Sequence, residues 1–314
     1  MLVSVIIPNY NGKRFLETCL NALRGQTYPP ALTEIIVVDD SSTDDSIQFV
    51  RERYPEVKIV RLTSNSGLAV GCNAGARAAT GDLLVMLNND TEAEPGWLAA
   101  LVETAEKYPR AGALASKMLL FDRRAVLHNA GDMMGADGIP RNRGVWQEDR
   151  GQYDTDTLVF GGCGGGVAYR RAAWQQAGGF DERLFMYLED VDLAWRLQLS
   201  GWEARFAPAA RLYHHLSATG GGTLASYYTG RNTITVIAKD MPGPLVRRHF
   251  GRIVAAQWRV TRDALRAWRG VSARARLRGQ LAGLLRLPLA LAWRREVQSK
   301  RNASIEAIDA MLMR

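Results

Sequence analysis

Leu83-Leu-Val-Met-Leu-Asn-Asn-Asp90 is the stretch on which the predicted fold rests. Its five apolar residues are uninterrupted, which is typical of a strand that is buried on both faces of a parallel sheet. Three polar residues follow directly, at the carboxyl end of that strand, where open α/β sheets bind their ligands. The carboxylate of Asp90 is a hard oxygen ligand that suits Mg²⁺ or Mn²⁺. A turn capped by Asp90 is the alternative that this stretch alone leaves open.

Strand and helix patterns alternate around this stretch. Apolar, β-branched runs over 2–8, 34–38 and 57–62 predict three further buried strands. Helical patterns follow the strands, including a small-residue helix over 68–79 and a helix over 96–107. This alternation predicts an α/β fold with a doubly wound, mostly parallel, Rossmann-like sheet.

The predicted sheet lacks the phosphate loops of the common nucleotide-binding folds. No G-x-G-x-x-G follows the first strand, and no G-x-x-x-x-G-K-[ST] occurs in the chain. Polar residues follow three of the strands instead, namely Tyr10, Asp40 and Asp90. A nicotinamide or P-loop enzyme is therefore not indicated.

The second half of the chain has a different character. Residues 120–157 show little periodicity, which predicts a long irregular excursion over the polar end of the sheet. A glycine run over 160–166 can bring backbone amides close to a ligand, with a flexible linker as the alternative. A predicted helix then carries Glu189, Asp190 and Asp192 in its first turn, which is more acid than the helix dipole requires.

Charge divides the chain near Pro242-Gly-Pro244. Residues 245–314 hold 16 Lys+Arg and 4 Asp+Glu, a net charge of +12, whereas residues 1–244 carry −4. We therefore predict one large domain over 1–244, followed by a basic, amphipathic helical tail over 245–314. The tail suits an anionic membrane surface, with Trp258, Trp268 and Trp293 as apolar anchors. A helical cap or a subunit contact is the alternative; no nucleic-acid-binding motif accompanies the basic residues.

Cysteine usage and targeting signals bear on location. The spacings of Cys19, Cys72 and Cys163 match no metal clip or disulfide framework. The apolar start of the chain lacks a basic region and a cleavage site, and no apolar run of about 18 residues occurs. These features predict a cytoplasmic protein, placed by its tail on the inner face of the cell membrane.

The polar blocks, in this order, resemble the family 2 glycosyltransferases, inverting enzymes with the GT-A fold. The resemblance covers roughly residues 1–235 and is closest to bacterial rhamnosyltransferase-like enzymes of cell-surface polysaccharide assembly. The matching blocks are Val3-Ser-Val-Ile-Ile-Pro-Asn-Tyr-Asn11, Val38-Asp-Asp-Ser-Ser-Thr-Asp44, Asn65-Ser-Gly67 through Asn73-Ala-Gly75, Asn88-Asn-Asp90, Gly178-Gly-Phe-Asp-Glu182, Glu189-Asp-Val-Asp-Leu193 and Tyr213-His-His215.

The resemblance implies transfer of a sugar from a UDP- or dTDP-sugar, with dTDP-rhamnose as one candidate, to a hydroxyl of a cell-surface glycan or lipid-linked acceptor. Asp190 matches the family's general base, and Glu189 is the second candidate. Asp90 and His214 match the residues that bind Mg²⁺ or Mn²⁺, although His215 could replace His214. Asn88 and Asn89 precede Asp90, where the family often has a second acid.

The resemblance also implies a nucleotide-sugar site. Asp40 would accept a hydrogen bond from the imide N–H of the pyrimidine base, and Tyr10 would stack beside that base. The full set implied for binding the nucleotide sugar is Pro8, Tyr10, Asp40, Asn65, Gly67, Asn73, Asn89, Gly164 and Gly165. Two other hypotheses remain at this point: a non-catalytic, membrane-associated scaffold with this fold, and a sugar-phosphate nucleotidyltransferase.

Overall fold

The computed structural model describes residues 1–215 and 222–314. The strands are β1 (Val3–Asn9), β2 (Thr33–Asp39), β3 (Lys58–Arg61), β4 (Leu83–Leu87), β5 (Thr91–Ala93), β6 (Ala111–Leu120), β7 (Arg123–Asn129), β8 (Asp132–Gly135), β9 (Pro140–Asn142), β10 (Leu158–Val159), β11 (Gly166–Arg170), β12 (Glu203–His214) and β13 (Leu312–Met313). The helices are α1 (Lys13–Arg24), α2 (Ser46–Arg53), α3 (Leu68–Ala78), α4 (Trp97–Lys107), α5 (Arg171–Ala177), α6 (Glu189–Ser200), α7 (Gly222–Asp240), α8 (Gly243–Arg266), α9 (Val271–Leu285), α10 (Leu287–Ser299) and α11 (Ile305–Ala310).

The main sheet runs in the order β10-β12-β6-β11-β4-β1-β2-β3. The first four strands of the chain lie in the spatial order β3-β2-β1-β4 and pair in parallel. β11 pairs antiparallel with both β4 and β6. Every residue of β4 is buried, as expected for an uninterrupted apolar strand with helices on both faces. The predicted mostly parallel α/β sheet is therefore confirmed, with β4 at its centre.

The prediction of an irregular excursion over 120–157 is wrong in part, because three strands lie there. β7 pairs with β6 at the margin of the main sheet, and β8 pairs with β9 in a second, smaller sheet. β7 is exposed in its first half and buried in its second, so it lacks the alternation that reveals a half-buried strand. β12 is the longest strand of the main sheet: it continues through a register shift between Ala207 and Arg211 and reaches His214.

The C-terminal helices pack on the sheet domain instead of extending from it. Leu245, Ile253, Val297 and Ile308 share one buried cluster with Trp195 of α6. β13 pairs with β8, which adds a backbone contact between the tail and the preceding part of the chain. The basic helical extension is confirmed, while the domain boundary after residue 244 stays a prediction.

Helices α7 and α9 approach each other closely through glycines. A Cβ atom on Gly279 would lie 2.1 Å from the carbonyl oxygen of Tyr227, and one on Gly283 would lie 2.8 Å from that of Arg231. Such distances leave no room for a side chain, so the two backbones are in contact. In the described ranges 1–215 and 222–314, no helix is both long enough and apolar enough to cross a membrane.

Candidate active site

A cavity of about 640 Å³ lies at the carboxyl ends of β4 and β12. Because β11 runs antiparallel to β4, the glycine-rich segment before β11 reaches the same edge of the sheet. The amino end of α6 closes the cavity from another side. The cavity is lined by six of the predicted site residues: Asp90, Gly164, Gly165, Glu189, Asp190 and His214.

Asp190 is held by two backbone N–H groups. The N–H of Gly164 donates to its Oδ2 over 2.8 Å, and the N–H of Val191 donates to its Oδ1 over 2.8 Å. Each carboxylate oxygen keeps a further lone pair for a substrate proton. Burial raises the pKa of Asp190, and the two backbone hydrogen bonds oppose that shift. The result is an oriented carboxylate whose basicity exceeds that of an exposed aspartate.

Two more carboxyl groups accompany Asp190. Glu189 is buried, and both this burial and the nearby charge of Asp190 raise its pKa well above the usual range. Burial, followed by the charge of Asp190, raises the pKa of Asp132 to about 7. Glu189 therefore ionises less readily than an exposed glutamate, whereas backbone hydrogen bonds oppose the upward pKa shift at Asp190, which favours Asp190 over Glu189 as the base. Asp132 was not predicted from the sequence, because it lies in the stretch to which no strand was assigned.

Asp90 and His214 also line the cavity. His214 Nε2 lies 3.3 Å from Asp90 Oδ1 and 3.4 Å from Asn88 Nδ2. The ring of His215 instead stacks on Phe121, with ring centroids 3.6 Å apart. This geometry favours His214 over His215 as a metal ligand.

His128 is a second residue that the sequence did not single out. Its ring stacks on that of His214, with centroids 4.9 Å apart and an interplanar angle of 4°. Burial, together with the nearby His214, lowers the pKa of His128 to about 4, so it is neutral at physiological pH. The neutral ring of His128 fixes the plane of the His214 ring and adds no positive charge beside it.

The predicted nucleotide residues lie along the sheet edge beside the cavity. Asp40 accepts hydrogen bonds from the backbone N–H groups of Ser66 (2.7 Å) and Gly67 (2.9 Å). Gly67 has φ +91°, and a Cβ there would lie 2.5 Å from the ring of Phe185, so the tight turn requires glycine. Tyr10 is 48% exposed and can still receive a base. Asn65 is exposed, whereas the half-buried Pro8 lies within β1.

Two predicted binding residues, Asn73 and Asn89, are not among the residues that line the cavity. Asn73 donates to the carbonyl of Phe180 and accepts from the N–H of the same residue, both over 2.9 Å. Asn89 is buried and donates to Asn9 Oδ1 over 2.8 Å. The contacts engage the amide of Asn73 and the Nδ2 group of Asn89 within the protein, and a direct role of either side chain in binding the sugar nucleotide stays a prediction. Both join structural elements next to the site.

A strained turn precedes α6. Phe185, Tyr187 and Leu188 have φ values of 68°, 63° and 67°, which are costly for residues with a Cβ. The side chain of the buried Asn232, on α7, donates to the carbonyls of Met186 (3.0 Å) and Tyr187 (2.7 Å), and also to that of Leu184 (3.2 Å). These bonds hold the turn that aims Glu189 and Asp190 into the cavity. No local sequence pattern indicated this role for Asn232.

A family model described as Glycosyl transferase family 2 matches residues 4–177. This chain belongs to glycosyltransferase family 2. Among curated family relatives, the N-acetylglucosaminyl-diphospho-decaprenol L-rhamnosyltransferase of Mycobacterium tuberculosis (strain CDC 1551 / Oshkosh) is 29% identical over 273 residues, which are 80% of this chain and 86% of that protein. The resemblance predicted from the motifs is confirmed, and the chain is a glycosyltransferase.

Solved glycosyltransferase structures share the fold. Staphylococcus aureus TarS 1-349 superposes with a TM-score of 0.61 at 19% identity, covering 95% of this chain and 89% of that one. The mannosyltransferase PcManGT from Pyrobaculum calidifontis, in complex with GDP-Man and Mn²⁺, has a TM-score of 0.56 at 20% identity, covering 98% and 78%. The predicted GT-A fold is confirmed.

The family 2 site can be tested for its fit to a divalent cation. Within residues 1–215 and 222–314 no group of three or more His, Cys, Asp and Glu residues is arranged to hold an ion. Asp90 and His214 provide two adjacent ligand groups that face the cavity. Mg²⁺ commonly takes one or two protein ligands and completes its shell with phosphate oxygens and water. The residues present therefore fit an ion that arrives with the diphosphate of a donor.

Proposed function

We propose that this enzyme transfers a sugar, with inversion, from a nucleoside diphosphate sugar to a hydroxyl of a sugar carried on a lipid diphosphate. The observation that carries the proposal is the placement of Asp190 and the Asp90–His214 pair on one cavity. A base and a diphosphate site are what a single displacement at an anomeric carbon requires. The name of the mycobacterial relative supplies the candidate substrate classes, an L-rhamnosyl donor and a diphospho-prenol-linked acceptor.

Asp190 supplies the base. The acceptor hydroxyl oxygen attacks the anomeric carbon while its proton passes to Asp190 Oδ1 or Oδ2. The bond from the anomeric carbon to the diphosphate oxygen breaks on the opposite side, and a nucleoside diphosphate departs. Because attack and departure occur on opposite faces in one step, the anomeric configuration inverts. The hydrogen bonds from Gly164 and Val191 hold the carboxylate for this transfer.

Asp90 and His214 would hold Mg²⁺ or Mn²⁺. When bound, the ion would neutralise negative charge that develops on the departing diphosphate. Asn88 lies beside His214 and contributes an amide where the family often has an acid. His128 keeps the His214 ring in place by stacking.

The nucleobase of the donor would lie along the sheet edge formed by Tyr10, Asp40 and the turn at Gly67. The oxygens of Asp40 each accept one backbone N–H, and a carboxylate oxygen can accept a second donor. An imide N–H of uracil or thymine meets that need. UDP- and dTDP-sugars are therefore the proposed donors, and dTDP-rhamnose is the first to test.

The basic tail would hold the enzyme on an anionic membrane surface, where a lipid-linked acceptor resides. Exposed residues of α8 and the following turn supply both charge and apolar surface, with Trp268 59% exposed. Trp293 does not fit the predicted role of a free anchor, because Arg183 and Arg286 lie 4.3 and 5.6 Å from its ring centre. The inner face of the cell membrane is the proposed location.

The test is a donor and acceptor panel with the full chain. UDP-, GDP- and dTDP-sugars, with or without Mg²⁺ or Mn²⁺, are incubated with N-acetylglucosaminyl-diphospho-farnesol. We expect metal-stimulated release of UDP or dTDP and a product whose new linkage has the inverted configuration by NMR. A retained configuration would contradict the mechanism. Pyrophosphate release from a nucleoside triphosphate and a sugar phosphate would support the nucleotidyltransferase hypothesis, and absence of turnover would support the scaffold.

A further inference from the structure

Arg276, on α9, is a half-buried cation that lines the catalytic cavity. Among the residues that the structure describes, its guanidinium makes no hydrogen bond or ion pair, and no other Lys or Arg lines this cavity. Burial lowers the pKa of Arg276, and no neighbouring carboxylate offsets the shift. A partly desolvated cation that has no partner within residues 1–215 and 222–314 is a binding group for an external anion.

The catalytic cavity continues past Arg276 toward the C-terminal helices. Arg276 and the polar Ser226, Thr229 and Ser272 also line a second cavity, of about 470 Å³. Its lining also includes Asp263, whose carboxylate lies 3.6 Å from Arg262 and 3.9 Å from Arg266, so its negative charge is balanced by these two cations. The second cavity is therefore polar without a net negative charge.

The second cavity leads in turn to an apolar groove. Gln257 and Gln280 line both. The groove has a volume of about 680 Å³ and lies between α7, α8, α9 and α10. Its apolar walls include Ile253, Val254, Trp258, Leu284, Leu287 and Leu291. Trp258 is 64% exposed, so the groove is open to what lies outside the protein.

We propose that this continuous path is the acceptor site, in which Arg276 binds the diphosphate of a lipid-linked sugar and the apolar groove receives the first part of its prenyl chain. The inference rests on the proposed function, and it assigns the acceptor end of the reaction to particular residues. The three parts of such an acceptor are sugar, diphosphate and hydrocarbon. They match the order of carboxylate, cation and apolar groove along the path.

Two features favour the acceptor over the donor as the ligand of Arg276. The donor diphosphate is already assigned, in the proposed function, to an ion at Asp90 and His214, which lie 3.3 Å apart. A nucleotide sugar also lacks a hydrocarbon part, so it leaves the groove beyond Gln257 and Gln280 without an occupant. In a prenyl diphosphate, the diphosphate would pair with Arg276 and the hydrocarbon would pack against the apolar walls of the groove.

Kinetics with two acceptors test the role of Arg276. With N-acetylglucosaminyl-diphospho-farnesol, Arg276→Ala should raise the acceptor KM roughly tenfold or more, the effect of losing hydrogen bonds to a charged group. The KM of the nucleotide sugar should not change, and neither should the KM of octyl β-N-acetylglucosaminide, which has no phosphate. Arg278→Ala removes the same charge from an exposed position on α9 and should leave all three KM values unchanged.

Titration calorimetry with farnesyl diphosphate tests the whole path without turnover. Arg276→Ala and Leu284→Asp should each weaken binding roughly tenfold or more. Leu285→Asp is the matched control, because Leu285 is the next residue on α9, is 74% exposed and lies outside the groove. Inorganic pyrophosphate should be sensitive to Arg276→Ala but not to Leu284→Asp.

The outcomes separate this inference from the proposed function. If the wild type transfers sugar and Arg276→Ala raises the KM of the donor alone, Arg276 serves the donor and the inference is wrong. Equal farnesyl diphosphate binding by the wild type and all three variants would also overturn it. A wild type that binds farnesyl diphosphate through Arg276 and Leu284 but transfers no sugar would contradict the proposed function and leave the path supported.

Discussion

The backbone N–H of Gly164 and the carboxylate of Asp190 are joined by a hydrogen bond of 2.8 Å. The bond connects the glycine-rich segment to the first turn of α6, two elements that lie apart in the chain. It gives the carboxylate one orientation in the cavity. The glycine run is thus neither a linker nor merely a loop that approaches the ligand.

Asp190→Asn should abolish transfer while leaving donor binding nearly intact. The amide keeps the size of the side chain but cannot accept the acceptor proton, and a general base contributes roughly 10²–10⁴-fold. Turnover and nucleotide-sugar titration would be measured on the same preparation. Glu189→Gln should retain more activity than Asp190→Asn; the reverse order would transfer the role of base to Glu189.

Asp132→Asn should become more stable relative to wild type as the pH rises. The pKa of Asp132 is about 7 in the folded protein and roughly 3.9 when unfolded. The folded state therefore binds more protons between these values, and its stability falls as the pH rises through that window. Thermal unfolding at pH 5 and pH 8 would give a larger Tm difference, variant minus wild type, at pH 8. A difference that is constant with pH would show that Asp132 ionises normally.

Asp90→Ala should weaken metal-dependent nucleotide binding, and His214→Ala should do so more mildly. The carboxylate provides charge as well as a ligand oxygen, whereas the imidazole provides a ligand only. Nucleoside diphosphate titrations with Mn²⁺ and with EDTA would compare the two variants with wild type. Indistinguishable affinities for wild type and Asp90→Ala under both conditions would remove Asp90 from the metal site.

Asn232→Ala should reduce kcat, although Asn232 has no proposed contact with the substrate. The carbonyls of Met186 and Tyr187, in the turn before α6, would lose the Asn232 donor, at a cost of about 1–3 kcal/mol in unfolding free energy. Misplacement of the base should also lower kcat by roughly tenfold to a hundredfold. Thr235→Val is the control, since the Thr235 hydroxyl bonds only within α7, to the carbonyl of Arg231. If kcat fell equally in both variants, the effect would come from α7 as a whole.

Reversal of tail charges should release the enzyme from anionic vesicles. Each Lys or Arg near the surface contributes about 1 kcal/mol, so Arg266→Glu with Arg269→Glu should weaken binding at least roughly tenfold. Arg51→Glu with Lys107→Glu changes the same charge on the sheet domain and should not. Added salt should weaken wild-type binding. Vesicle co-sedimentation that is insensitive to both salt and the tail variant would leave the tail as a structural cap.

Truncation before Leu245 is a poor test of whether the tail binds a membrane surface. Leu245, Ile253, Val297 and Ile308 belong to a buried cluster with Trp195 of the catalytic helix α6. Their removal would expose this cluster and lower stability, so loss of binding would not identify the membrane surface. Substitutions at exposed positions avoid this problem.

The sequence predicted those site residues whose position follows from a strand or helix end. Asp90 follows β4 and Asp190 lies in the first turn of α6, as the predicted elements indicated, whereas His214, at the end of β12, was indicated by the family resemblance. Element prediction could not tell on which side the amides of Asn73 and Asn89 point, because residue type carries no information about neighbours distant in the chain.

The residues that sequence reasoning missed act through such distant neighbours. Burial and the charge of Asp190 raise the pKa of Asp132, and Asn232 donates hydrogen bonds to the turn at Met186 and Tyr187. Arg276 was one of many basic residues in the tail, and only its burial in the cavity distinguishes it. None of these relationships leaves a periodic or local pattern in the chain.

The glycine contact between α7 and α9 has a consequence for redesign of the enzyme. Gly279 and Gly283 leave no volume for larger side chains, so the side of the apolar groove formed by α7 and α9 is intolerant of mutation. The opposite wall ends in exposed side chains such as Val254 and Leu291, which are 49% and 53% exposed. A combinatorial library aimed at acceptors with longer or shorter hydrocarbon chains should therefore diversify α8 and α10 and leave the α7–α9 contact intact.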